Sequence, residues 1–390
     1  MQKPSVLVIH NHYQQRGGED TVVGAEVELL RRAGHRVVQY TRQNAEIFRY
    51  GSLRKSLLLF TTSWAGAAYS DICALIRAEK PDIAHCHNFL PLVSPAAHYA
   101  CKATGIPVLQ TLHNYRLLCP SGTLFQNGRR CSTCRGCSLR GVLRGCYRHS
   151  HLQTGVVSLM LAGHHAIRTW ERSIDAYVAP SRFCRDTYVQ AGWSPAKMYC
   201  KPNFLPSDPG PRNAGGDYAL FVGRLSDEKG VRELFEAWRQ VPGIPLKVAG
   251  DGPLHASLGS LVDRSRLPIQ MLGRLSPQDT IACIKRSRFL IFPSRWHEPF
   301  GMGLLEAAAC GVPAVASRIG AIPEIVDDGH TGLLFDPEDS SELVRQVRWA
   351  WNHPAEMEEM GMAARARYLQ FYTAERNYDR LMEIYRALLS

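Results

Sequence analysis

Short apolar runs that end in polar or glycine-rich loops recur along this chain. Val6-Leu7-Val8-Ile9 runs into His10, Asn11 and His12. Such a run is continuous rather than alternating, which is how a strand buried on both faces of a parallel sheet reads. Glu19 to Ala33 then carries apolar residues at helical spacing, Val22, Val23, Val27, Leu29 and Leu30, and Gly34 ends it. Residues 36–40 read as a second strand, so the opening is strand, glycine loop, helix, strand, a βαβ unit. Residues 81–88 and 107–114 predict two further strands, with His85, His87 and His113 at their carboxyl ends, where open α/β sheets hold functional groups. Residues 162–177 predict a helix and 177–179 another strand. A stretch rich in Pro, Gly and Asn, 199–216, then reads as a linker. Beyond it the pattern restarts with strands at 218–222, 246–249, 269–272, 289–292 and 313–317. The chain is therefore read as α/β, with two Rossmann-like doubly wound domains, 1–205 and 206–375.

The densest chemistry lies at 293–311, PSRWHEPFGMGLLEAAACG. Leu304, Leu305 and three alanines favour a helix from Met302 to Cys310, which Gly311 and Pro313 end. Pro299 pushes Glu298 towards an extended backbone. This puts Glu298 on a loop at the mouth of the helix and Glu306 about one turn inside it. The free N–H groups of the helix start, beside Phe300, Gly301 and Met302, face an anion. Two acids flanking an anion hole suit a nucleotide-sugar, with the diphosphate on the N–H groups and sugar hydroxyls on the carboxylates. Upstream, Gly223-Arg224-Leu225-Ser226-Asp227-Glu228-Lys229-Gly230 follows a strand. Arg224 and Lys229 on that glycine-bounded loop can neutralise a leaving diphosphate. The loop at Gly17 and Gly18 lacks G-x-G-x-x-G and is no dinucleotide fingerprint.

The E-x7-E spacing of EPFGMGLLE and the G-R-L-x-x-x-K-G loop resemble the retaining glycosyltransferases of family 4, which have the GT-B fold. PDIAHCHN, TLHNYRLLCP and the RGGED loop are similar to the same family, so the resemblance covers nearly the whole chain. It implies a donor cleft between the domains and a closing segment, 376–390, that crosses back to the first one. It implies Arg224 and Lys229 on the diphosphate, Glu306 on the ribose and Glu298 on the transferred sugar. It further implies backbone around Arg274 near the base, Gly17 and Gly18 beside the phosphates, and His113 near the sugar. The implied reaction is metal-independent transfer through an oxocarbenium-like state, with retention and no required cofactor. The absence of any D-x-D pair fits that expectation.

Five of twelve cysteines cluster as C-x11-C-x2-C-x2-C-x8-C, Cys119 to Cys146. The spacing is wrong for a ferredoxin-type cluster. It leaves two readings: a structural zinc on Cys119, Cys131, Cys134 and Cys146, or reduced, unbound thiols. Arg129, Arg130, Arg135, Arg140, Arg144 and Arg148 surround them in this insertion, 119–148, with no acid between 129 and 148. Charge is correspondingly uneven. Residues 1–205 hold 25 Lys/Arg against 11 Asp/Glu, net +14, and the remainder is net −3. No run of 18 apolar residues occurs, so no spanning helix is expected. The 5–9 run is too short for a signal-peptide core. The expected setting is the cytoplasm, peripheral on the inner membrane face, with an anionic surface and a saccharide or lipid-linked acceptor as partners. The apolar stretch at 57–60 reads first as a core helix and second as an interfacial one. A nucleotide-sugar epimerase and a non-enzymatic nucleic-acid binder remain as alternatives. The second is disfavoured because a binder has no need of the cation pair or the two glutamates.

Overall fold

The computed structural model describes residues 3–14, 17–134 and 137–390. Arg16 of the glycine loop and Arg135 of the basic run lie outside them. The chain forms two compact units, Met1–Leu124 with Cys131–Pro206 and Ala374–Ser390, and Phe125–Arg130 with Ser207–Thr373.

The first unit is built on β1 (Val6–His12), β2 (Val37–Gln43), β3 (Ile83–Asn88), β4 (Val108–Thr111), β5 (Ala176–Ala179) and β6 (Met198–Cys200). All pairs are parallel, in the order β2-β1-β3-β4-β5-β6. The order reverses between β1 and β3, and their carboxyl ends bring His10, His12 and His87 to one edge. Helix α1 (Gly18–Arg32) buries Val23, Val27 and Leu30 against Val6, Val8 and Ile83. The same core takes Leu381, Ile384 and Tyr385, which belong to the last helix of the chain.

The second unit repeats the plan with β7 (Ala219–Val222), β8 (Leu246–Ala249), β9 (Ile269–Gly273), β10 (Phe289–Phe292), β11 (Ala314–Ser317) and β12 (Gly332–Phe335), all parallel, in the order β9-β8-β7-β10-β11-β12. Its core packs Phe221, Phe235, Trp238, Phe289 and Ile291. The reversal falls between β7 and β10, and ligands of such sheets bind outside the carboxyl ends at that point.

Two expectations are corrected. The helix expected over 162–177 runs instead over His151–Ala166, because Ser150 caps it by accepting the Gln153 N–H; Arg168 at φ 59° starts a separate turn, Thr169–Arg172. The stretch at 57–60 lies in α2 (Ser52–Thr61), which buries none of its residues and is therefore not a core helix. We label His151–Ala166 α3, against which α2 packs.

Candidate donor-binding and catalytic site

In the second unit the loops after β7 and β10 are clasped together. Gly230 (φ 68°) lies so close to Pro293 that a Cβ would sit 1.8 Å from its carbonyl oxygen. Only glycine meets both demands. Arg295 N–H donates to the Glu228 carbonyl at 2.9 Å, and Ser294 Oγ reaches the same oxygen at 3.3 Å. This clasp delivers Lys229 to Glu298: Nζ lies 2.6 Å from Oε1, which also accepts from Ser294 Oγ at 2.7 Å. Glu298 is buried, and Lys229 is held between the rings of Phe292 and Trp296. A second close approach fixes the Glu298 backbone. Gly320 (φ 60°) leaves no room for a Cβ, and the Ala321 N–H donates to the Glu298 carbonyl at 3.0 Å.

Phe300 is buried and Gly301 (φ 149°) precedes α4 (Met302–Ala309), which starts one turn before Glu306. The Leu304 and Leu305 N–H groups both return to the Gly301 carbonyl. Glu306 has no hydrogen bond to its carboxyl among the described residues, and burial pushes its pKa to about 7. An unpartnered carboxyl in this position can accept hydroxyl protons. Arg224 is exposed on the loop after β7, with no side-chain partner among the described residues. Arg274 follows β9 and is likewise exposed. The ends of β7, β8 and β9 are tied by Gly223 N–H to Ala249 O (3.0 Å) and Gly250 N–H to Gly273 O (2.7 Å). Arg224 and Arg274 therefore leave one sheet edge.

The first unit places Gly17 and Gly18 at the start of α1, exposed and with open space where a Gly17 Cβ would stand. Asp20 ties this loop down. Its Oδ2 accepts the Gly17 N–H at 3.1 Å, while Oδ1 lies 2.8 Å from His10 Nε2 and 3.1 Å from His12 Nδ1. Neighbouring Glu19 accepts from Tyr13 Oη (2.9 Å) and Asn114 Nδ2 (3.3 Å), and burial raises it to about 8, so it is protonated at neutral pH. His113, just past β4, has its Nε2 3.0 Å from His87 Nδ1, and burial drives its pKa down to about 3. Glu19, Glu26 and His87 were not singled out from sequence as site residues. His87 was legible as a strand-end histidine, whereas nothing distinguished Glu19 or Glu26 from surface acids of a helix.

Of the cysteines, Cys119 and Cys134 are buried and their thiols are hydrogen-bonded. The Leu124 and Ser121 N–H groups also point to the Cys119 sulfur, and Arg144 Nη1 lies 3.7 Å from Cys131 Sγ. The hydrogen bond to Cys119, with burial, pushes the Cys134 thiol well up. Among the described residues, the three-ligand groups with all donor atoms within 4.8 Å of one another are His10/His12/Asp20 and Glu26/His85/His87; the cysteines are not among them.

Two doubly wound parallel sheets of this topology are the two halves of the GT-B fold. Residues 207–367 match the model for glycosyl transferases group 1, and residues 16–208 match that for glycosyltransferase family 4. The chain belongs to this family. It is 37% identical over 163 residues to D-rhamnosyltransferase WbpZ of Pseudomonas aeruginosa, covering 41% of this chain and 42% of that one. It is 29% identical over 307 residues to glycogen synthase of Mycobacterium tuberculosis, covering 75% and 65%. The matched region thus spans less than two thirds of these relatives' lengths. In fold it is similar to Anabaena Alr3699/HepE crystallised with UDP-glucose, at TM-score 0.71 and 17% identity over 98% of this chain and all of that one.

Proposed function

We propose that this protein is a retaining glycosyltransferase that moves a sugar from a nucleotide-sugar to a saccharide or lipid-linked acceptor, in synthesis of a surface polysaccharide or glycolipid. The observation that carries this is the Lys229–Glu298 pair, clasped at the switch point of the second sheet beside an unpartnered Glu306. Lys229 and Arg224 take the charge of the departing diphosphate. Such stabilisation acts where charge develops in the transition state. Glu298, anchored by Lys229 and Ser294, receives hydroxyls of the transferred sugar, and Glu306 those of the ribose. Anabaena HepE was crystallised with UDP-glucose, and the relatives are a D-rhamnosyltransferase and a glycogen synthase by name, which supports a nucleotide-sugar donor for this chain. Replacing Arg224 and Lys229 together by Ala is expected to lower transfer from the competent donor roughly 100-fold or more, the scale of losing one preorganised donor. Unchanged turnover in a radiolabelled-donor assay would remove the proposal.

We further infer that the first unit docks on an anionic bilayer. Among the described residues no helix is long and apolar enough to span a membrane. Yet Phe48, Leu53, Phe60, Leu143, Leu152 and Leu159 are strongly exposed, Leu143 at 86% and Leu53 at 78%. They lie on α2, α3 and segments beside them, including Ser138–Arg144, which packs on α3. Arg49, Arg54, Lys55, Arg140, Arg144 and Arg148 accompany them, and α2 has no acid. Apolar insertion beside cations is what an anionic surface selects. Flotation with vesicles containing phosphatidylglycerol should carry the protein up, and Leu53→Asp with Phe60→Asp should leave it at the bottom. Equal flotation of both proteins, or of neither, counts against the docking face.

Cys119, Cys131, Cys134 and Cys146 fit a structural zinc in donor number and softness. The N–H groups on Cys119 favour the thiolate form a metal needs. We propose that the four sulfurs draw together on zinc.

A further inference from the structure

Behind His113 runs a buried chain of polar groups that the donor site does not explain. His113 Nε2 meets His87 Nδ1 at 3.0 Å, with the two rings within 25° of coplanar. The other nitrogen of His87, Nε2, faces Glu26 Oε1 at 3.5 Å. His87 Nε2 is buried with no hydrogen-bond partner among the described residues, and Glu26 Oε1 is shared with His85. Glu26 Oε2 holds Lys201 Nζ at 2.7 Å, and Lys201 also donates to Asn377 Oδ1 at 3.1 Å. His85 closes the other side, with Nδ1 3.0 Å from Glu26 Oε1 and 2.9 Å from Tyr385 Oη, and Nε2 2.7 Å from Thr111 Oγ1. Glu26 and Lys201 are each 2% exposed, so this ion pair lies inside the first unit.

The charge states follow from burial and pairing. Burial alone would raise Glu26, but Lys201 and His85 outweigh it and hold the carboxyl well below its usual range. Burial keeps His87 and His113 neutral. A neutral imidazole has one N–H and one lone pair, and its neighbours decide which nitrogen carries which. A carboxylate oxygen opposite a nitrogen lone pair is repulsive, so Glu26 requires the His87 proton on Nε2. His87 Nδ1 is then a lone pair and can only accept, so His113 must donate from Nε2. The remaining nitrogen of His113, Nδ1, is left as a lone pair. No other hydrogen bond to the His113 side chain occurs among the described residues.

We propose that Glu26, acting through His87, sets the tautomer of His113 and leaves its Nδ1 as an acceptor for a sugar hydroxyl. Glu26 and His87 are positioning residues for the site, and Lys201 keeps the Glu26 charge tolerable in the interior. The ligand assignment rests on the transferase reading above, whereas the tautomer itself does not. The consequence is selectivity. A sugar offering a hydroxyl at this point is bound, and one offering an ether or fluorine there meets a lone pair and is disfavoured.

The test is a two-bond proton–nitrogen correlation spectrum of the full chain labelled with nitrogen-15 histidine, with His113→Gln used to assign the ring. Wild-type His113 should show a protonated Nε2 and an unprotonated Nδ1. In Glu26→Gln the side-chain amide can donate to His87 Nε2, so both rings should switch and His113 should carry its proton on Nδ1. Should Glu26→Gln fail to fold because Lys201 loses its partner, Glu26→Gln with Lys201→Met removes the stranded charge. A wild-type His113 protonated on Nδ1 overturns the proposal outright, with no variant needed. An unchanged His113 tautomer in the folded Glu26 variant overturns the part assigned to Glu26. If the tautomers behave as expected but Arg224→Ala/Lys229→Ala retains full transfer, the function reading fails and the relay stands.

Discussion

Glu306 carries a pH signature that separates its proposed role from a structural one. Burial raises it from 4.5 to about 7. Between those values the folded state keeps a proton that the unfolded chain has released. Stability therefore falls as pH rises through this window and levels off above it. Glu306→Gln should abolish that slope in denaturant titrations. Binding works in the opposite direction, because ribose hydroxyls need the ionised carboxylate as acceptor. With a free-state value near 7, the competent fraction grows about tenfold from pH 6 to pH 8. The Kd of the cognate nucleoside diphosphate should tighten by about that factor in the wild type beyond whatever Glu306→Gln shows. The ligand's own phosphate titration is common to both proteins, so the difference between the two profiles is the readout. Superimposable profiles would place the ribose elsewhere.

At the scale of elements, most of the chain's parallel strands were legible as short apolar runs bounded by loops, whereas β6 (Met198–Cys200) was not, since 199–216 read as a linker. The loops that carry Arg224, Lys229 and Glu298 were legible because strand, glycine and cation recur in order. What could not be read was set by three-dimensional neighbours. Glu26 looks like Glu28 two residues on, yet one is buried on Lys201 and the other pairs with Arg32 at the surface. The exposure of α2 was hidden for the converse reason, since an apolar run says nothing about whether another element covers it. The cysteine insertion is the element that a bound metal would stabilise. A zinc ion bound at 100 times its Kd stabilises by about 2.7 kcal/mol. That amounts to roughly 5–11 °C in a unit of this size. Chelation should lower the melting temperature by about that much, and Cys146→Ser should remove both the metal and the chelator effect. Protein prepared reduced and with excess zinc, yet carrying none by elemental analysis, would leave the thiols as unbound pairs.

At the scale of the whole molecule, the chain is not two consecutive domains. The last helix, Ala374–Leu389, belongs to the unit formed by the first half, because Leu381, Met382, Ile384 and Tyr385 fill the core beneath β1, β3 and β4. Tyr385 also hydrogen-bonds His85, and Tyr378 reaches His35 at 2.9 Å. The first unit is thus completed only when residues 374–389 are made. Leu381 is fully buried, and trimming it to Ala removes its methyl contacts and leaves a cavity, at a cost of about 3 kcal/mol. Leu234 is equally buried in the other core, which offers a matched control. If each core melts as its own cooperative unit, Leu381→Ala should lower one calorimetric transition by roughly 6–12 °C and leave the other in place. Leu234→Ala should do the reverse, and a nucleoside diphosphate should raise the transition that Leu234→Ala lowers. A single transition moved equally by both substitutions would mean that the two cores unfold as one cooperative structure, and that the last helix stabilises the entire chain.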